Sequence, residues 1–126
     1  MKKFLQSFRY ALNGAILLAK TERNFRIILV CLIITLVVGF GLDSFGQHIT
    51  RFEWAIIWGA IGLMLVSEAI NTAIEKLVDL LHPQQHPKAG EIKDMAAAAT
   101  MMASVVAIII GLYILLPRIL AAIFLN

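Results

Sequence analysis

"SEAINTAIEKLVDLLHP", residues 67–83, is a polar helix set in an apolar chain. It continues without a break from the apolar run that begins near Trp54, and it stops before Pro83. On a helical wheel at about 100° per residue, Asn71, Thr72, Glu75 and Asp79 all fall within roughly 60° of Glu68. Three carboxylates therefore share one face of one helix. Glu68 lies two turns inside the polar end of the segment, and Asp79 lies about at that end. An ionisable side chain at membrane depth is costly and marks function by default. The competing reading is a polar seam in which Asn and Thr join neighbouring helices. A seam accounts for one Asn. It does not account for three aligned carboxylates, which repel unless cations neutralise them.

The rest of the chain explains why the setting is a membrane. Of 126 residues, 60% are hydrophobic and 15% charged. Mean hydropathy is +0.86. Too few charges are present to solvate a globular surface, so the membrane class leads. Three apolar spans are expected, at about 27–46, 53–82 and 91–124. Before them, residues 4–24 form an expected surface helix. Gln6, Arg9, Asn13 and Lys20 make its polar stripe, and Phe4, Leu5, Phe8, Leu12, Ala15 and Ile16 lie away from it. Nothing alternates with period two, so the expected class is all-α integral membrane in a single unit spanning 1–126. The single cysteine, Cys31, is expected to pack as a small hydrophobe. Arg9, Asn13 and Lys20 interrupt the apolar run that a cleavable signal would need.

Orientation follows from Lys and Arg. Lys2, Lys3, Arg9, Lys20, Arg23, Arg26, Lys76, Lys88 and Lys93 flank one side, and Arg51 and Arg118 flank the other. This bias puts the N-terminus and the 82–92 loop in the cytoplasm, and the 43–53 turn and C-terminus outside. Trp54, Trp58 and Tyr113 suit the outer aromatic belt.

Carboxylates at a membrane surface support two chemistries. Hard oxygens bind Mg²⁺ beside substrate phosphates, and a carboxylate in an apolar setting can accept a hydroxyl proton. Lys93 and Asp94, opening the third span, add a cation suited to phosphate. These are the parts for phosphoryl transfer. No Walker A loop, kinase glycine-rich loop, HRD or DFG motif is present. The alternative from another class is a small proton-coupled membrane transporter with Glu68 as proton carrier. Its weakness is that the carboxylates cluster toward one end of the span, away from the midplane.

"EAINTAIEKLVD" followed by "HPKAGEIKDMAAAA", with "SFRYALNG" and "KTERNFR" upstream, resembles the prokaryotic diacylglycerol kinase family, which includes undecaprenol kinases. The resemblance covers nearly the whole chain. It implies a homotrimer in the bacterial inner membrane whose sites combine residues of neighbouring subunits. It also implies ATP, Mg²⁺ and a membrane lipid alcohol as substrates and cofactor, with no nucleic acid. By the same resemblance Glu68 is the catalytic base, and Glu22 and Glu75 are metal ligands. Lys93 and Asp94 match nucleotide contacts, with Asn71, Asp79, His86, Tyr10 and Lys3 in supporting positions. Leu12 and Ala19 stand where diacylglycerol-using members carry tryptophans, and Ala97 stands where they carry a small polar residue. Together with Ala15, these residues are the expected lipid groove. The "KTERNFR" form looks more like the undecaprenol kinase branch, so undecaprenol is placed ahead of diacylglycerol.

Overall fold

The computed structural model describes residues 2–84 and 86–124, which form four helices and, among the described residues, no strand. They are α1 (Lys2–Thr21), α2 (Arg23–Asp43), α3 (Arg51–Leu81) and α4 (Pro87–Phe124). The last three are each long and apolar enough to cross a membrane. Their surfaces agree with that setting. Val37, Ile33, Leu77, Ile108 and Ile109, among many other large apolar side chains, are exposed on the single chain. Such continuous apolar surface suits lipid or a neighbouring helix, not water. Cys31 belongs to this exposed set rather than to the interior of the chain.

The helix ends have identifiable causes. Residue 22 interrupts the first helical stretch. Glu22 takes up an extended conformation (φ −99°, ψ 120°), so α1 stops at Thr21 and Arg23 already belongs to α2. At the far end of α2, Gly46 adopts φ +69°. Its N–H donates to Asp43 O at 3.1 Å and that of Gln47 to Leu42 O at 3.0 Å, which closes the last turn around a left-handed glycine. α3 starts on a capping box. The Thr50 hydroxyl accepts from the Glu53 N–H at 3.2 Å, and the Thr50 N–H donates to Glu53 Oε2 at 2.9 Å.

α3 and α4 pack antiparallel along much of their length, and α2 lies against both. Buried Ala89, Ala96 and Ala103 recur at seven-residue steps on α4. Their small side chains allow close helix approach. Gly39 does the same for α2, because a Cβ there would sit 2.5 Å from Trp54 Cη2.

The two ends of this bundle differ in chemistry. Toward the 43–53 turn the core is apolar, built from Leu42, Ile49, Ile57 and Ile114. Arg118 staples that end: its Nη2 donates to both Glu53 carboxylate oxygens at 2.8 and 2.9 Å, and its Nε donates to His48 O at 3.2 Å. Toward the 82–92 loop buried Glu68, Asn71 and Thr72 join the apolar Phe25, Val78, Ala89 and Ala96.

Candidate functional site

Glu68, Asn71 and Thr72 on α3 are 3%, 7% and 4% exposed. A carboxylate this deeply buried needs partners, and Glu68 has few. It meets the Asn24 side chain of α2, with Glu75 and Glu22 close enough to act on it electrostatically. Its Oε2 has no hydrogen-bond partner. Asn71 donates from Nδ2 to Glu75 Oε1 at 3.1 Å, while its own Oδ1 is unpartnered. The face expected from periodicity is therefore formed, and Glu22 joins it from the α1–α2 joint of the same chain.

Cations ring this face. Lys76 Nζ donates to Glu22 Oε1 at 2.7 Å, and the Thr21 hydroxyl donates to the same oxygen at 2.7 Å. These two bonds hold the Glu22 carboxyl below the usual carboxylate range. On the other flank, Lys93 of α4 donates to Asp79 Oδ1 and Oδ2 at 2.9 and 3.2 Å. Asp94, the next residue, is exposed, as is His86, whose ring lies 5.8 Å from that of His82. A cavity of about 490 Å³ opens here, lined in part by Asp79, His82, His86, Gly90 and Lys93.

The remaining expected residues are not gathered into the site within one chain. Tyr10, Leu12 and Ala15 are exposed on α1, Lys3 likewise, and Ala19 is half-buried. Ala97 is exposed on α4. A lipid groove bounded by α1 is therefore not closed by this chain alone.

Sequence reasoning missed three features. Lys76 had entered only as a charge for orientation. Asn24, beside Glu68, sits in an unremarkable basic stretch. Thr100 on α4 buries an unpartnered Oγ1.

The residues can be tested for metal. Among the described residues no three His, Cys, Asp or Glu side chains are gathered tightly enough to hold an ion by themselves. Mg²⁺ does not require that, since it commonly takes one or two carboxylates and completes its shell with waters and substrate phosphates. Each carboxylate has about four lone-pair sites, so the bonds from Lys76 and Asn71 leave Glu22 and Glu75 with acceptor capacity. The donor set fits a hard cation that arrives with a phosphate ligand.

A helical membrane protein with a buried carboxylate, two further carboxylates beside it and a flanking lysine has the make-up of a membrane phosphotransferase. The comparisons make the class specific. Residues 9–115 match the family model for prokaryotic diacylglycerol kinase. The chain is 39% identical over 118 residues to undecaprenol kinase of Bacillus subtilis, covering 94% of this chain and 92% of that one. It is 34% identical to a diacylglycerol kinase of Synechocystis, over 93% of this chain and 65% of the relative. It is 31% identical to the diacylglycerol kinase of Pseudomonas aeruginosa, over 82% of this chain and 80% of the relative. The chain belongs to the prokaryotic diacylglycerol kinase family, and with it to the lipid kinases of the membrane.

Proposed function

We propose that this protein transfers the γ-phosphoryl group of ATP to the hydroxyl of a membrane lipid alcohol, with Mg²⁺, at the cytoplasmic face of the bacterial inner membrane. The observation that carries this reading is the buried, unpartnered Oε2 of Glu68 on a face shared with Glu75 and Glu22. A buried acceptor without a donor is where a substrate hydroxyl can place its proton.

The chemistry follows from the arrangement. The lipid stays in the bilayer and presents its hydroxyl beside Glu68. The hydroxyl oxygen forms the new P–O bond, its proton passes to Glu68, and the bond between the γ-phosphorus and the β–γ bridging oxygen breaks, leaving ADP with the electron pair. Glu22 and Glu75 would hold Mg²⁺, which supplies charge neutralisation on the phosphates when bound. Lys93, positioned by Asp79, faces the same end and offsets charge on the transferred group. Asn71 orients Glu75. Asp94 and His86 border the polar end where nucleotide would enter.

Positive charge concentrated at the α1 and 82–92 end supports a cytoplasmic N-terminus and an outside C-terminus. The exposure of Tyr10 and Lys3 on α1, and of the apolar faces of α2 and α4, supports a homotrimer in which α1 completes a neighbour's site. The resemblance to undecaprenol kinase over 92% of its length, and small residues at 15 and 19, favour undecaprenol over diacylglycerol as acceptor. No observation favours the transporter alternative. The test is ADP release by the purified protein in detergent or lipid. Release should require both Mg²⁺ and added lipid alcohol; release that ignores the lipid would overturn the reading.

A further inference from the structure

The joint between α1 and α2 is a single extended residue, and that residue is Glu22. One residue of extended chain does not fix where a helix points, so other contacts must hold the joint on the bundle. Two are present. Arg26 reaches back one turn and donates to the carbonyls of Ala19 and Lys20 at 3.4 and 2.9 Å, capping the end of α1. That bond lies within the joint and does not tie it to α3. The tie from Glu22 itself to α3 is Lys76, whose ammonium lies 2.7 Å from Glu22 Oε1 and 3.5 Å from Thr21 Oγ1.

The location of this tie matters electrostatically. Glu22 and Glu75 both act electrostatically on the buried Glu68. Without a cation between them, three carboxylates would push the joint off the α3 face. Lys76 is one residue past Glu75 and about 80° round the helix from Glu68. It can therefore neutralise Glu22 without entering the Glu68 pocket. Its side chain is 54% exposed and that of Glu22 25%, so the ammonium can leave toward water when a stronger cation takes the carboxylate.

We infer that Lys76 is a positioning residue that docks the Glu22 joint onto α3 and yields Glu22 to the divalent cation. This rests on the reading of Glu22 as a metal ligand and goes beyond it, because it assigns the docking of α1 to an exchange between an ammonium and a metal on one carboxylate. The consequence is that the joint is held in place both with and without metal, by different partners.

Hydrogen exchange at the backbone amides of residues 19–26, in the full-length protein in lipid nanodiscs, reads this directly. In the wild type, protection at the joint should change little on adding Mg²⁺ with a non-hydrolysable ATP analogue. In Lys76→Met, protection without Mg²⁺ should fall on the order of five-fold, the scale of a partly exposed ion pair, and should return on adding Mg²⁺ and analogue. Lys76→Arg should behave as the wild type. Unchanged exchange in Lys76→Met overturns the inference, and so does a loss that Mg²⁺ does not restore, since that is what a merely structural lysine would give. Lys76→Met/Glu22→Gln separates the two readings. Restoration by Mg²⁺ in Lys76→Met but not in the double variant supports both. Restoration in both variants overturns Glu22 as the ligand, and with it the exchange.

Discussion

Lys93 and Asp79 face each other across the α3–α4 interface, the ammonium 2.9 and 3.2 Å from the two carboxylate oxygens. The family resemblance implies that both contact nucleotide; within the chain they contact one another. The pair is largely exposed, so its contribution to folding is small, about 0–1 kcal/mol. On the proposed reading its role is to aim the lysine at nucleotide. Asp79→Asn should therefore leave thermal unfolding almost unchanged while raising KM for ATP several-fold. A large loss of stability with an unaltered KM would make the pair a structural brace.

Glu22 and Glu75 approach the same Glu68 within one chain. On the proposed reading each of the two is a hard metal ligand, so Glu22→Gln and Glu75→Gln should each lower activity and raise the Mg²⁺ concentration needed. Co-assembling the two variants should not restore activity, since every site would still carry one defect. Recovery in verified mixed assemblies would mean that the two glutamates serve one site from different subunits.

Much of this was legible in the sequence, for physical reasons. Apolar runs bounded by charge mark the spans, and a 3.6-residue period collects Glu68, Asn71, Thr72 and Glu75 on one face whatever the neighbours are. Helix ends were less legible. Glu22 carries no Gly or Pro signal, and its carboxylate meets Lys76, which is 54 residues away in sequence. For the same reason periodicity alone could not bring Glu22 to the site, and only its place in "TERN" did. Lys76 was invisible as a site residue because a lysine at the end of a span has a sufficient explanation in topology. Glu53 and Arg118 are 65 residues apart, so no local pattern predicts their pairing.

That pairing fixes the far end of the bundle, away from the carboxylates. Arg118 bridges Glu53, His48 O and Ile114 O, with side chains 21% and 24% exposed for the Arg–Glu pair. Arg118→Ala leaves the Glu53 carboxylate short of its partner and should cost about 1–3 kcal/mol. Thermal unfolding in detergent should register the loss, while KM for ATP stays within about two-fold of the wild type because nucleotide enters at the opposite end. A rise in KM as large as that of Asp79→Asn would show that the two ends are coupled.

The proposed reading gives acceptor choice to α1. Leu12 and Ala15 are exposed and Ala19 half-buried on α1, and on that reading these side chains admit a branched polyprenyl chain. The ratio of kcat/KM for undecaprenol to that for diacylglycerol should exceed one, and Leu12→Trp with Ala19→Trp should lower it. A packing difference of this kind is worth about 1–3 kcal/mol, or roughly 10–200-fold in discrimination. Equal efficiency on both lipids in the wild type, in one lipid background, would remove α1 from that role.

The central claim is that Glu68 is the base for phosphoryl transfer to a lipid hydroxyl. Transfer of labelled γ-phosphate from ATP to undecaprenol and to diacylglycerol, measured in parallel for the wild type and Glu68→Gln, tests it most directly. The account predicts labelled lipid phosphate from the wild type with Mg²⁺ only. It predicts turnover lower by about 10²–10⁴-fold in Glu68→Gln, with the affinity for a non-hydrolysable ATP analogue retained. Near-normal labelling of either lipid by Glu68→Gln would contradict it.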